Sequence, residues 1–60
     1  MTGREKLRWE LEQAFDNNGD WFTCHVFRLI AKADTQNRER LRIIFPDEVE
    51  VYEAFLEGRL

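Results

Sequence analysis

Apolar residues recur along the first part of the chain at a spacing that places them on one side of a helix. The residues of this stripe are Leu7, Leu11, Ala14 and Phe15. Thr2 and Glu5 have the spacing of a capping box, which predicts a helix start at their position. The Asn-Asn-Gly segment at 17–19 predicts its end, because both residue types accept the left-handed backbone that closes helices. We therefore predict a first helix over residues 3–16.

The next apolar stretch is hydrophobic around most of a helical circumference. Asp20 is a suitable N-cap for a helix over residues 21–33. One apolar arc of this helix consists of Phe22, Val26, Leu29, Ile30 and Ala33, extended by Cys24, Phe27 and Ala31. The polar strip beside it is narrow and consists of His25, Arg28 and Lys32. A helix with so little polar surface must be covered from two directions, so we predict that it is central and mostly buried.

Pro46 divides the remaining chain into two predicted helices, because proline cannot continue a helix but is favoured at a first helical position. Asp34 and Thr35 can cap the third helix, over residues 36–45. Its predicted inner face consists of Leu41, Ile44 and Phe45. The fourth helix is predicted over 46–57, with Gly58 as its stop. Its predicted inner face consists of Val49, Tyr52 and Leu56, with Phe55 beside them.

A β-hairpin over residues 41–52 is the alternative for this last region. Residues 41–45 are rich in β-branched side chains, and residues 48–52 alternate polar and apolar positions. The connection lacks the Asn-Gly or Asp-Gly pair that tight hairpins favour, and an isolated two-stranded hairpin is marginally stable. The helical interpretation is the preferred one. The pattern thus predicts an all-α fold, a compact bundle of three to four short helices in a single domain, 1–60.

The composition of the chain indicates the cellular compartment in which the protein is expected. The chain of 60 residues has a single cysteine, so no disulfide can form within it. Secreted domains of this size normally depend on disulfides. No apolar run approaches membrane-spanning length, and no signal peptide opens the chain. We therefore expect a cytoplasmic protein without a membrane partner.

The candidates for catalysis and metal binding are few. Cys24 and His25 are adjacent, and adjacent residues on a helix diverge by about 100°, so they do not form a nucleophile–base pair. One Cys and one His cannot complete a zinc site within one chain. The Asp- and Asn-containing segment 16–20 is calcium-like in composition but is better explained as a helix stop and cap. We predict no catalytic residue, no metal site, no cofactor and no enzymatic activity.

A DNA-binding regulator is the alternative function. The second and third predicted helices could form a helix-turn-helix, and the third carries Arg38, Arg40 and Arg42. Arg40 projects roughly opposite the other two, which splits the basic surface. The net charge of −3 and the pI of about 5.0 also differ from the basic character of most DNA-binding domains. Nucleic acid is therefore the less favoured partner.

Protein–protein contact is the favoured function, because large apolar residues fall outside the predicted core. Trp9 lies nearly opposite the apolar stripe of the first helix, and Ile43 lies about 200° from Leu41 on the third. Trp and Arg are frequent anchors at interfaces. The predicted interface residues are Trp9, Arg8, Arg4 and Ile43. The predicted partner is a second copy, as a homodimer or larger assembly, or an unidentified second protein.

Several sequence blocks resemble one group of proteins. They are Gly-Asp-Trp-Phe at 19–22, Leu-Ile-Ala-Lys-Ala-Asp at 29–34, Asn-Arg at 37–38, Arg-Leu at 40–41, Phe-Pro at 45–46 and Glu-Val at 48–49. Their order is similar to that in small proteins of actinobacteria and their phages, mycobacteriophages in particular. The resemblance covers roughly residues 19–55 and brings no catalytic or binding residue with it. It implies a small phage protein that acts in a bacterial cytoplasm.

Overall fold

A computed structural model describes residues 3–59, and within them the chain forms four α-helices and no β-strand. The helices are α1 (Gly3–Asp16), α2 (Phe22–Lys32), α3 (Thr35–Ile44) and α4 (Pro46–Leu56). The predicted all-α fold of short helices is confirmed. Residues 41–44 form the end of α3, and residues 46–52 form the beginning of α4, which starts at Pro46. The hairpin alternative is therefore wrong. The Thr2–Glu5 capping box involves a residue outside the described range.

The helix ends follow local backbone chemistry. The carbonyl of Gln13 accepts hydrogen bonds from the backbone N–H groups of Asn17 and Gly19, at 3.3 and 2.7 Å. Asn18 between them has a φ of 55°, the left-handed conformation expected of the Asn-Asn-Gly stop. At the start of α3, the carboxylate of Asp34 accepts from the backbone N–H of Asn37 at 2.8 Å, which confirms this cap.

The predicted cap of α2 is wrong. The N-cap position of α2 is occupied by Trp21, whose side chain makes no capping hydrogen bond. The carboxylate of Asp20 lies 2.8 Å from Nε2 of His25 instead. Because Asp20 precedes the cap position by one residue, its carboxylate contacts a side chain on the first turn rather than the backbone N–H groups there.

The core lies where α1, α2 and α4 meet. Its buried residues are Leu11 and Ala14 of α1, Cys24, Val26, Phe27 and Ile30 of α2, and Val49, Val51 and Tyr52 of α4. Helix α4 contacts each of the other three helices, and α2 contacts both α1 and α4. None of the residues of α3 is fully buried, although Leu41 and Phe45 pack against the core from its edge. Helix α2 is therefore covered from two directions, as predicted, and α4 shares its central position.

Several residues predicted to face inward are exposed. They are Phe15, Phe22, Leu29, Ile44, Phe55 and Leu56. A chain of this size buries only about 60% of its unfolded surface, so three helices cannot enclose a fourth one completely. Helix α2 packs mainly against α1 and α4, and α3 packs mainly against α4. As a result, one side of α2 keeps apolar residues in contact with solvent.

Candidate protein-contact surface

An open groove runs between α2 and α3. Its lining includes Leu29 and Lys32 of α2, Ala33 directly after α2, and Asn37, Arg40 and Leu41 of α3. Its volume is 390 Å³. Its apolar lining residues are Leu29, Ala33 and Leu41, and we call these three residues the floor of the groove. The groove thus combines an apolar floor with polar and basic edges.

Exposed apolar side chains continue this groove toward the other end of α2. Phe22 is 71% exposed and its ring centroid lies 6.0 Å from that of Phe45. Ile44 is 67% exposed and follows Leu41 by three residues, which places both on the same side of α3. We call the set Phe22, Leu29, Ala33, Leu41 and Ile44 the α2–α3 surface. It is an apolar strip that crosses two helices.

The cations of the molecule differ in how they are neutralised. Among the described residues, four arginines form ion pairs with carboxylates: Arg4 with Glu50, Arg8 with Glu12, Arg59 with Glu57, and Arg42 with both Glu39 and Glu53. Arg28 donates a hydrogen bond to the carbonyl of Ala14 at 2.9 Å. Within residues 3–59, neither Lys32 nor Arg40 has a carboxylate partner. Both of these cations line the groove.

The three arginines of the DNA-binding alternative have different surroundings. The guanidinium of Arg38 lies 5.5 Å from the ring centroid of Tyr52, which is a cation–π contact. Arg42 donates to Glu53 at 2.7 Å and to Glu39 at 3.1 Å, and these hydrogen bonds raise its pKa. Arg40 makes only a long hydrogen bond, 3.5 Å, to Asn37. The three side chains therefore do not present one continuous basic surface.

Of the four interface residues predicted from sequence, Arg4, Arg8 and Trp9 lie on α1 and Ile43 lies on α3. Trp9 is 45% exposed and stacks on Trp21. Arg4 and Arg8 are held by Glu50 and Glu12, and the one cation–π contact in the described part of the chain involves neither of them. Ile43 is 83% exposed on α3. Their role in contact with a partner stays a prediction.

The residues considered for catalysis occupy different environments. Cys24 is fully buried in the core, and its Sγ lies 3.8 Å from the carbonyl oxygen of Glu10. His25 is exposed and contacts Asp20. In the described range, no three His, Cys, Asp or Glu side chains are grouped as metal ligands would be. None of the helices in that range is long and apolar enough to cross a membrane.

Two features of this surface were not predicted from the sequence. The apolar arc of α2 predicts that Phe22 and Leu29 are buried. A helical wheel, however, does not show which part of the arc the neighbouring helices cover. The composition of α3 carried a usable signal, since only three of its residues, Leu41, Ile43 and Ile44, are apolar. So short an apolar face cannot cover a whole side of α2. Glu10 of α1 is only 6% exposed, a burial that the helix pattern does not predict.

Comparison of the chain with protein-family models, curated proteins and solved structures gave no match.

Proposed function

We propose that this chain is a non-enzymatic accessory protein of a bacteriophage that acts through protein–protein contact in the cytoplasm of its host. The α2–α3 surface is the contact surface. The observation that carries the proposal is the exposure of Phe22, Leu29 and Ile44 on adjacent helices around an apolar groove. Single exposed apolar residues are ordinary, whereas grouped ones are typical of interaction sites. The resemblance of residues 19–55 to phage proteins supports the proposed source and compartment.

The partner at this surface can be a second copy of the chain, so that the protein self-associates. A chain of 60 residues has a thin stability margin, and a second copy that covers apolar surface adds to it. Sedimentation velocity over about a hundredfold range of protein concentration tests this form. A sedimentation coefficient that rises with concentration supports it. A constant monomeric value excludes it and leaves a host protein as the partner.

Substitutions on the surface test the proposal itself. We expect the double variant Leu29→Gln with Ile44→Gln to associate more weakly with a second copy. We also expect this variant, when immobilised, to bind less of any bacterial protein that the unsubstituted chain binds. Both side chains are exposed, so the variant keeps its core. Leu56→Gln is the matched control, because Leu56 is an exposed apolar residue of α4 that does not line the groove. If the double variant associates as the unsubstituted chain does, the proposed contact surface is wrong.

The DNA-binding alternative is less well supported. Its test is retention of the chain on immobilised duplex DNA at low and high salt, because phosphate contacts weaken steeply as salt rises. Salt-sensitive retention would favour this alternative over protein–protein contact.

A further inference from the structure

Two cations, Lys32 and Arg40, line the groove. Lys32 is the last residue of α2, and Arg40 lies in the middle of α3. The hydrogen bond from Arg40 to Asn37 is 3.5 Å long, at the outer limit for such a bond. Among the described residues, the arginines that form ion pairs with carboxylates are Arg4, Arg8, Arg42 and Arg59, and none of them lines the groove. Two positive charges therefore remain uncompensated beside an apolar floor.

We propose that the groove between α2 and α3 binds an acidic amphipathic helix of a partner protein. This inference rests on the proposed function and names the chemistry of the partner. An amphipathic helix binds a groove by inserting apolar side chains spaced three and four residues apart. Here those side chains would contact Leu29, Ala33 and Leu41. Carboxylates at the edge of the same helix would pair with Lys32 and Arg40.

The shape of the groove fits a helix better than an enclosed small molecule. Its volume of 390 Å³ lies within the range of about 300–1,000 Å³ that is typical of ligand sites. However, within residues 3–59 its lining comes from α2, the adjoining Ala33 and α3 alone. The exposed side chains of Phe22 and Ile44 extend the apolar strip beyond the groove. A strip of this kind matches the apolar face of a helix.

The charge pattern also separates this partner from two others. A second copy docked groove to groove would place the Lys32 and Arg40 side chains of both copies in one interface, and like charges at an interface are unfavourable. Nucleic acid is disfavoured because the chain carries a net charge of −3, and phosphate binding depends on a basic surface. An acidic amphipathic helix would pack its apolar face on the floor of the groove and pair its carboxylates with the two cations.

A pair of synthetic peptides tests the inference. The first is a fluorescein-labelled amphipathic helix with leucine at every third and fourth position and glutamate on the flanks. In the second, each glutamate is replaced by lysine. In fluorescence anisotropy we expect the full chain to bind the acidic peptide about tenfold more tightly than the basic one. The reason is that Lys32 and Arg40 would form two ion pairs with the acidic peptide and would repel two lysines of the basic one. We also expect its affinity to fall as salt is raised.

Charge reversal at the groove provides the decisive variant. Lys32→Glu combined with Arg40→Glu should reverse the preference of the chain between the two peptides. Lys6→Glu is the matched control, since Lys6 is an exposed cation on α1 that does not line the groove. Amide NMR shifts on adding the acidic peptide should concentrate at Ala33 and Leu41, and the indole N–H of Trp9 should not move.

Each contrary outcome overturns the inference. It is wrong if neither peptide binds, if both bind equally, or if Lys6→Glu has the same effect as the groove variant. It is also wrong if the chain dimerises through Leu29 and the dimer excludes the peptide, because a second copy then occupies the groove. The proposed function fails separately, when Leu29→Gln with Ile44→Gln leaves every association unchanged.

Discussion

The indole of Trp21 stacks on the indole of Trp9, with ring centroids 5.4 Å apart and planes inclined by 21°. The same indole donates a hydrogen bond from its Nε1 to Oε2 of Glu10 at 2.7 Å. Trp21 lies in the segment that joins α1 to α2, whereas Trp9 and Glu10 lie on α1. The two contacts therefore hold the connecting segment against α1.

We expect Trp9→Ala to lower the free energy of unfolding by about 1–2 kcal/mol, from loss of the aromatic pair and of half-buried ring area. Urea unfolding followed by far-ultraviolet circular dichroism measures the change, and the near-ultraviolet spectrum reports the loss of the stack. Ile43→Ala is the control, with an expected change within about 0.5 kcal/mol because its side chain contacts mainly solvent. Equal effects of the two substitutions would show that the stack adds no stability.

The hydrogen bond between Trp21 and Glu10 can be separated from the stack. Trp21→Phe keeps an aromatic ring but removes the donor, and Glu10→Gln keeps an acceptor but removes the charge. In a double-mutant cycle we expect a coupling free energy of about 1 kcal/mol, since the bond joins a donor to a shielded carboxylate. Chemical denaturation of the four proteins supplies the values. Additive effects would mean that the charge of Glu10 adds no stability to its hydrogen bond with Trp21.

Close packing at Gly19 leads to a third prediction. A Cβ on Gly19 would lie 2.7 Å from Sγ of Cys24 and 3.1 Å from Cβ and the carbonyl oxygen of Gln13. We expect Gly19→Ala to destabilise the chain by about 1–3 kcal/mol, as overpacking of a buried contact does. Thermal unfolding measures it, with Gly3→Ala as the control because a Cβ there meets nothing within 4 Å. In the Cys24→Ala background the cost of Gly19→Ala should be smaller, since the nearest atom is gone.

The helices could be predicted from sequence because their ends are encoded locally. The Asn-Asn-Gly stop, the Asp34 cap and Pro46 each act within a few residues of their own position, and each has its predicted effect. Asp20 is the exception among the caps. Its carboxylate has a second possible partner in His25, and sequence alone does not indicate which of the two it contacts.

The choice of buried face could not be predicted as well, because it depends on which helices meet. Helix α4 buries Val51 and Ala54 as well as Val49 and Tyr52, so its buried residues lie on more than one side. A wheel of one helix assumes a single neighbour and misses this arrangement. The same limit applies to Leu29 and Ile44, whose exposure follows from the incomplete cover that α3 gives to α2.

The arrangement of arginines on α3 predicts weak contact with DNA. Only Arg40 of the three has neither a carboxylate nor an aromatic partner in the described range. We expect the chain not to be retained on immobilised duplex DNA, even at about 50 mM salt, where phosphate contacts are strong. Retention that disappears in Arg40→Gln would contradict this expectation and support the regulator alternative.

Arg42 joins α3 to α4 through its hydrogen bonds to Glu39 on its own helix and Glu53 on the next. We expect Arg42→Gln to lower Tm by more than Arg40→Gln, the control on the same helix. Because the pair is partly exposed, its contribution should shrink as salt rises toward about 1 M. Equal Tm values for the two variants at low salt would show that the bridge between the helices contributes nothing.

The pH dependence of this bridge follows from the sign of the shift. The hydrogen bonds to Glu53 and then Glu39 raise the pKa of Arg42, so the folded state favours the charged guanidinium. A raised pKa gives stability that is present below the usual pKa of arginine and is lost only as pH rises through the higher folded value. Between about pH 7 and pH 10 arginine stays charged in both states. The Tm difference between the unsubstituted chain and Arg42→Gln should therefore stay constant over that range, and a difference that shrinks there would mean that another group controls the bridge.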